Sequence, residues 1–486
     1  MPAVQTRRKR TPRLNPPAPT ALAGPRSTTV TKEIIPPDAS ILATPAEDGA
    51  LQSGQALMEH LFGPAAEREF AIRYWDVAEE QPLGTTARFT LVIRCPEALR
   101  RALLPPSERK LGEAYVRGDL DIEGDLEEAA ELAVIVRERL RSPSAVLGFL
   151  ARVWALPSGS GARSGRGSEH SARWSARVRH SRRRDAAAIS FHYDVGNDFY
   201  RLFLDDRMVY SCAYFPEGTE DLAAAQEAKL EHICRKLRLQ PGERLLDIGS
   251  GWGALIQFAA ERYSVNTVGI TLSEAQARFA RERIAAAGLT EQCRVEVRDY
   301  RDLPADTQFD KIASVGMVEH VGRRQLPVYF REAFRLLKPG GLFLNHGIVS
   351  LLPRESRLHN TLHHILPGSA SFLERYVFPD GEILTPGELS DAAEAAGFEE
   401  RDVESLREHY TLTLRHWVNR IEARESEAIA ATDETTYRIW RLYMAGCANA
   451  FKDGRVGVVQ TLLGKPRADG SLSLPLTRQD LYATSE

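Results

Sequence analysis

The sequence predicts an α/β protein: a doubly wound, Rossmann-like sheet with helical cap insertions, preceded by a small α+β domain. Three observations carry that prediction. Between 244 and 346, short apolar runs alternate with segments of helical spacing, the pattern of strand–helix–strand units in a parallel sheet. The first of these runs, Arg244–Ile248, feeds a loop with glycine at every second position, Gly249, Gly251 and Gly253. A Gly/Ser/Arg-rich stretch at 157–184 sets this region apart from an earlier globular one.

Composition bounds the rest. A chain of 486 residues with 43% hydrophobic and 27% charged residues suits a soluble protein of two or three domains. Five scattered cysteines without a C-x-x-C pair argue against a disulfide framework or zinc cluster and suit a reducing compartment. No apolar run approaches the roughly 20 residues that span a bilayer. The basic N-terminus lacks the apolar segment of a secretory signal, so a cytoplasmic location is expected.

Taken in order, residues 1–50 read as a basic, Pro-rich disordered tail. Residues 51–150 form a small scaffold or lipid-associated domain, with a strand at Arg88–Arg94 and an element opening at Pro96. A turn-rich stretch at Gly112–Asp121 and an amphipathic helix over Leu126–Leu140 complete it. Residues 151–188 are a linker whose arginines, Arg163 to Arg184, suit anionic headgroups or, alternatively, nucleic acid. Residues 189–465 are the catalytic domain and 466–486 a polar tail. Within the catalytic domain a helix at Leu222–Leu237 precedes the glycine loop, and helices at Ala254–Tyr263, Ser273–Ala287 and Gln325–Leu337 separate the later strands. Beyond them come helices at Arg357–Leu366, Pro386–Gly397, Leu414–Ile429 and Tyr437–Ala450, then a strand at Val456–Leu462.

The loop favours a particular ligand. A dinucleotide fingerprint reads G-x-G-x-x-G and holds a pyrophosphate at the helix N-terminus. Here the spacing is G-x-G-x-G with Asp247 two residues earlier, which fits S-adenosylmethionine (SAM), a cofactor without phosphate. SAM folds often carry an acidic residue after the second strand; Thr271, with Gln276, stands there instead. Asp299 follows the third strand, where it could meet the adenine amino group while Tyr300 stacks. Glu319 follows the fourth strand, at the ligand-binding edge, and His346 ends the fifth. His359, His363 and His364 have metal-compatible spacing, but no acidic or thiol partners accompany them, so no metal is expected.

Five segments then occur together in order: Tyr-Ser-Cys-Ala-Tyr-Phe at 210–215, Leu-Leu-Asp-Ile-Gly-Ser-Gly-Trp-Gly at 245–253, Gly-Ile-Thr-Leu-Ser at 269–273, Gly-Met-Val-Glu-His-Val-Gly at 316–322 and Ala-Gly-Cys-Ala-Asn-Ala-Phe at 445–451. This set resembles the cyclopropane-fatty-acyl-phospholipid synthases and their mycolic-acid relatives over roughly 190–465. Gly112–Leu126 also looks like the extra N-terminal domain of the larger, phospholipid-acting members.

The resemblance implies methyl transfer from SAM to a cis double bond of a lipid acyl chain, then proton loss and ring closure, with bicarbonate as base. It implies that the side chains of Glu319, His346 and Tyr410 and backbone groups of Cys212 and Ile348 hold that ion. Cys447 matches a cysteine assigned to the family's active site. SAM contacts are implied for Tyr210, Ser211, Leu245, Asp247, Gly249, Ser250, Gly251, Trp252, Gly253, Thr271, Leu272, Gln276, Tyr300 and Arg301. Ser250 departs from the family's usual cysteine.

The chemistry agrees with this implication. An alkene is a weak nucleophile, so methyl and double bond must be held close and in line. The carbocation formed by the transfer needs a dry pocket, with His192, Tyr193, Phe199, Tyr214 and Tyr376 as candidate pocket aromatics whose faces could steady it. Expected partners are unsaturated phospholipids and an anionic membrane surface at the inner face of the membrane, with no nucleic acid; a homodimer stays open. Three alternatives remain: a methylene- or methyl-branched product, an RNA methyltransferase using the arginine linker, and a silent lipid-binding protein. The RNA reading lacks an Asn/Asp-Pro-Pro-Tyr/Phe acceptor motif.

Overall fold

The computed structural model describes residues 45–105, 107–158, 192, 195–352, 371–378 and 381–482. Two sheets organise them. The first has strand order β2-β1-β3-β4, built from β1 (Ala71–Tyr74), β2 (Ala78–Glu80), β3 (Phe89–Ile93) and β4 (Leu120–Gly124). Of these, β1 and β3 run parallel, while β2 and β4 are antiparallel to their neighbours.

The stretch expected to be turn-rich is instead the helix Glu108–Val116 leading into β4. Ser107 caps that helix by accepting a hydrogen bond from the Lys110 amide. Gly112, which reads as a turn residue, sits mid-helix because a Cβ there would come within 2.6 Å of the Phe372 ring. The helix expected over Leu126–Leu140 is split into Leu126–Ala129 and Glu131–Arg139.

The second sheet has seven strands in the order β10-β11-β9-β8-β5-β6-β7. Its members are β5 (Arg244–Ile248), β6 (Asn266–Thr271), β7 (Cys293–Val297), β8 (Phe309–Val315), β9 (Leu337–Ser350), β10 (Glu399–Ser405) and β11 (Val456–Gly464). The strands from β7 to β9 are mutually parallel. β11 is antiparallel to both β9 and β10, so the sheet is mixed. Sequence patterning misses β10 because Glu-Glu-Arg-Asp-Val-Glu-Ser has one apolar residue; an edge strand needs no buried alternation.

Consecutive residues of β5 point to opposite faces, as the strand period demands. Leu245 packs with Leu230, Ile233 and Phe258 on one face. Leu246 packs with Ile312, Phe330 and Phe343 on the other. The chain leaves β5 toward β6 and β7 on one side and returns to β8 and β9 on the other. That reversal opens a crevice at the carboxyl ends of β5 and β8.

Three helices, Arg407–Glu422, Glu425–Ala431 and Glu434–Lys452, replace the two expected after 400. Arginines join them to the first sheet. Arg438 donates to the carbonyls of Tyr115 and Leu120 and to Asp121, and Arg415 makes a two-pronged contact with Glu127 at 2.7 Å. The tail at 1–44, most of the arginine linker and the helix expected at Arg357–Leu366 lie outside the described residues. So do Tyr193, His359, His363 and His364. Among the described residues no helix is long and apolar enough to cross a membrane.

Candidate active site

The glycine loop is shaped by its backbone. Gly249, Gly251 and Gly253 have φ of 84°, 53° and 84°, a region that side chains avoid. The amides of Gly249 and Ser250 donate to the Ile270 carbonyl at 2.9 Å, tying the loop to the end of β6. This contact depends on Gly269, where a Cβ would fall 2.6 Å from Ser250 Oγ.

The crevice beside the loop holds about 1250 Å³ of atom-free space, its open mouth included. It is lined by Tyr210, Ser211, Asp247, Gly249, Ser250, Gly251, Trp252, Thr271, Leu272, Gln276, Tyr300 and Arg301, twelve of the fourteen residues implied for SAM. The other two lie elsewhere. Leu245 is in the core against the helices, and Gly253 opens the next helix, where a Cβ would meet Ala280 at 3.0 Å.

Local contacts fix these groups. Thr271 donates to Gln276 Oε1 at 2.8 Å, filling the place where an acidic residue is often found. Asp299 is clamped by Arg301 at 2.8 Å to Nε and by the Arg301 amide at 2.9 Å, which holds both at the rim. Tyr300 meets Tyr329 edge-on at 5.7 Å. Trp252 donates to Asn197 Oδ1 at 2.8 Å. Asp247 is 3% exposed, and burial pushes its carboxyl up to about 7 against the pull of Lys229.

Lys229, Met317, His320 and Gln325 also line the crevice, and none of them stands out in the sequence as a site residue. For Lys229 a signal existed. Leu222, Gln226, Lys229, Ile233 and Lys236 fall on one face of Leu222–Leu237, the face that packs on the sheet, so Gln226 and Lys229 are polar residues at apolar-periodic positions.

A second cluster adjoins. Glu319 stands on the single turn Val318–His320 after β8. Its Oε1 accepts a hydrogen bond from the Ile348 amide at 2.7 Å, and its Oε2 is buried without a partner. Gly347 makes this approach possible, since a Cβ there would come within 2.3 Å of Val318 Cγ1. His346, in β9, faces Gln460 of β11 across the strand pair, with Gln460 Nε2 3.2 Å from Nδ1. With the amide placed this way Nδ1 accepts, which leaves the ring proton on Nε2.

Burial sets the charges. It raises Glu319 to about 7 and lowers His346 to about 3, so the histidine is neutral. It lifts Tyr410 well above its ordinary value. The Cys212 thiol is also pushed up, and Cys447 rises to about 12. Neither cysteine is a thiolate at neutral pH, so neither is set up as a nucleophile.

The pocket aromatics divide. His192 stacks on Phe378 at 4.4 Å and faces Tyr210 at 5.7 Å, close to the crevice. Phe199 packs edge-on against Trp440. Tyr214 is sandwiched between His232 and His409, and the Tyr376 hydroxyl donates to Glu113 at 3.4 Å. None of His192, Phe199, Tyr214 and Tyr376 is among the residues that line the crevice.

A family model for mycolic acid cyclopropane synthetase matches residues 180–461. The chain belongs to that family. A second model, for a domain of unknown function, matches the family member's residues 57–140. A Pseudomonas putida protein named "Probable fatty acid methyltransferase" is 42% identical over 85% of this chain and 95% of its own length. The cyclopropane-fatty-acyl-phospholipid synthase of Escherichia coli is 37% identical over 57% of this chain and 68% of its own. The solved structure of mycolic acid cyclopropane synthase CmaA1 with S-adenosylhomocysteine (SAH) and CTAB is 37% identical. It covers 57% of this chain and 97% of that one, at a TM-score of 0.53. This cyclopropane synthetase family member is a SAM-dependent methyltransferase.

Proposed function

We propose that the enzyme methylates the cis double bond of unsaturated phospholipid acyl chains and closes the product to a cyclopropane ring, with bicarbonate as the base. The observation that carries the base assignment is the buried, unpartnered Oε2 of Glu319. An orphaned carboxyl oxygen in a dry site costs free energy unless a ligand meets it. A neighbouring anion can do so only by sharing a proton, and a carboxyl raised to about 7 can provide one. The neutral His346 and the Tyr410 hydroxyl add donors without adding charge, and a small oxyanion fits such a set.

SAM supplies an electrophilic methyl group and bicarbonate a proton acceptor. The protein's own work is to orient and to exclude water. The glycine loop and Asp247 hold the donor. The ring faces of His192, Tyr210, Phe378 and Trp440 pack together, and aromatic faces suit a cationic intermediate. Glu319 is anchored by the Ile348 amide at Oε1, while its Oε2 has no protein partner.

Peripheral attachment to an anionic membrane surface is part of the proposal. It is supported by the arginines of 163–184 and by Leu147 and Trp154, which are 68% and 65% exposed on the helix Pro143–Ala155. A branched-chain product is the second reading, since the name of the Pseudomonas putida relative, a probable fatty acid methyltransferase, specifies no ring. Purified enzyme incubated with SAM and dioleoyl-phospholipid vesicles tests both by NMR and mass analysis of the lipids. Ring methylene signals are expected, and methyl-branched chains without rings would overturn the cyclopropane assignment.

A further inference from the structure

One ionisable side chain in the crevice has no task in alkene methylation or ring closure. Lys229 is 2% exposed and lines the crevice beside Ser211 and Asp247. Its Nζ donates to the neutral Ser211 hydroxyl at 3.0 Å. Asp205 and Asp247 act on it through space. The oxygens of Asp205 are taken up by the amides of Val209 at 2.8 Å and Arg207 at 3.1 Å. Asp247 is itself buried on the same wall.

A buried ammonium that lacks a direct counter-ion is expensive, because the Coulomb gain of a close pair is what offsets its desolvation. The same holds for the buried Asp247. The crevice therefore presents one cation and one carboxyl at the same end, which act on each other through space without forming a close ion pair. The methionine end of SAM is a zwitterion and brings both. Lysine suits a carboxylate as a compact point charge, and the Ser211 hydroxyl fixes where that charge points.

We propose that Lys229, with Ser211, binds the carboxylate of the methionine moiety of SAM, while Asp247 takes its ammonium. The inference rests on SAM as the donor. It makes Lys229 a cofactor-binding residue that reads the amino-acid end of the ligand, separate from Asp299 and Tyr300, to which the sequence assigns the adenine. Burial leaves Lys229 at about 8, so it is charged at neutral pH.

The test is a ligand ratio. SAH and 5′-methylthioadenosine share the adenosine and the thioether, but only SAH carries the amino-acid group. Calorimetric titration of both is performed on wild type, K229M and K229R. Wild type should prefer SAH at least tenfold. K229M should lose at least tenfold in SAH affinity while 5′-methylthioadenosine stays within twofold, and K229R should recover part of the preference. Equal loss of both ligands by a folded K229M, or loss of neither, would overturn the assignment. K229Q keeps a donor for Ser211, and its ratio decides the matter should K229M not fold. Wild type that binds neither ligand would instead strike at the SAM site itself.

Discussion

Glu319 and Ile348 are joined across the carboxyl edge of the sheet: the Ile348 amide donates to Glu319 Oε1 at 2.7 Å, and the second carboxyl oxygen is left buried and unpaired. The turn after β8 is thereby locked onto β9. Glutamine can still accept the Ile348 hydrogen bond, but it cannot share a proton with an anion. Glu319→Gln should bind SAH within about twofold of wild type and lose at least tenfold in turnover on lipid vesicles. Full turnover would remove Glu319 from the mechanism.

The same carboxyl makes stability depend on pH. Its value in the folded protein, about 7, lies above its ordinary 4.5, so the folded state holds a proton that the unfolded chain has released. Stability from this group is present below 4.5 and is lost as pH rises through 7. Glu319→Gln should therefore gain on wild type between pH 5 and 8, by roughly 2–3 kcal/mol at the upper end. Urea denaturation at both pH values reads the difference. A gap that does not change with pH would contradict the shifted carboxyl.

Gly347 explains how β9 accommodates that turn. A methyl group there would fall 2.3 Å from Val318 Cγ1 and 3.9 Å from Glu319 Oε2. Gly347→Ala should cost about 1–3 kcal/mol through overpacking. Turnover should fall at least tenfold while SAH affinity holds, since the glycine loop is untouched. Parallel kinetics and calorimetry check this, and unchanged turnover would show that the turn can move without harm.

Cys447 offers a contrast. Its thiol is raised to about 12 by burial, so it stays protonated at neutral pH. Cys447→Ala should keep more than about half of wild-type turnover, with any loss traceable to packing. Turnover reduced a thousandfold with intact folding would require a covalent role.

Much of this site is legible in the sequence alone, and the reasons are physical. The strand–loop–helix of Arg244–Tyr263 announces itself because only glycine tolerates the φ values that the loop adopts. Glu319 can be placed because the strands of a parallel sheet deliver the residues after them to one edge, whereas His346, expected to end its strand, lies within β9, which pairs with β11 as far as Ser350. Of the first sheet only β3 is legible; β1, β2 and β4 are not, nor is β10: β2 and β10 are edge strands, and β10 carries almost no apolar pattern. Gly112 reads as a turn until Phe372, far along the chain, is known to lie against it. Tyr214 stacks on His232 and the Tyr376 hydroxyl meets Glu113, contacts between residues far apart in the chain. Long-range packing, which local pattern does not contain, decides each of these.

Arg438 and Arg415 tie the helices after 400 to the first sheet and the short helix beside it. Arg438 bonds two carbonyls and Asp121 in a nearly closed site. Arg438→Met should destabilise the protein by about 2–4 kcal/mol, because the carbonyls and carboxylate lose their shared donor. Urea denaturation measures it, and a loss below about 0.5 kcal/mol would show the joint to be dispensable.

In the proposed reaction the methyl carbon of SAM becomes the third ring carbon, having given up one hydrogen to a base. SAM carrying a trideuterated methyl group, supplied with vesicles of dioleoyl phospholipid, tests this most directly. The expected product is an acyl chain with a cyclopropane methylene that keeps two of the three deuterons. Chains that keep all three as a methyl branch, or vesicles that take up no label, would contradict it.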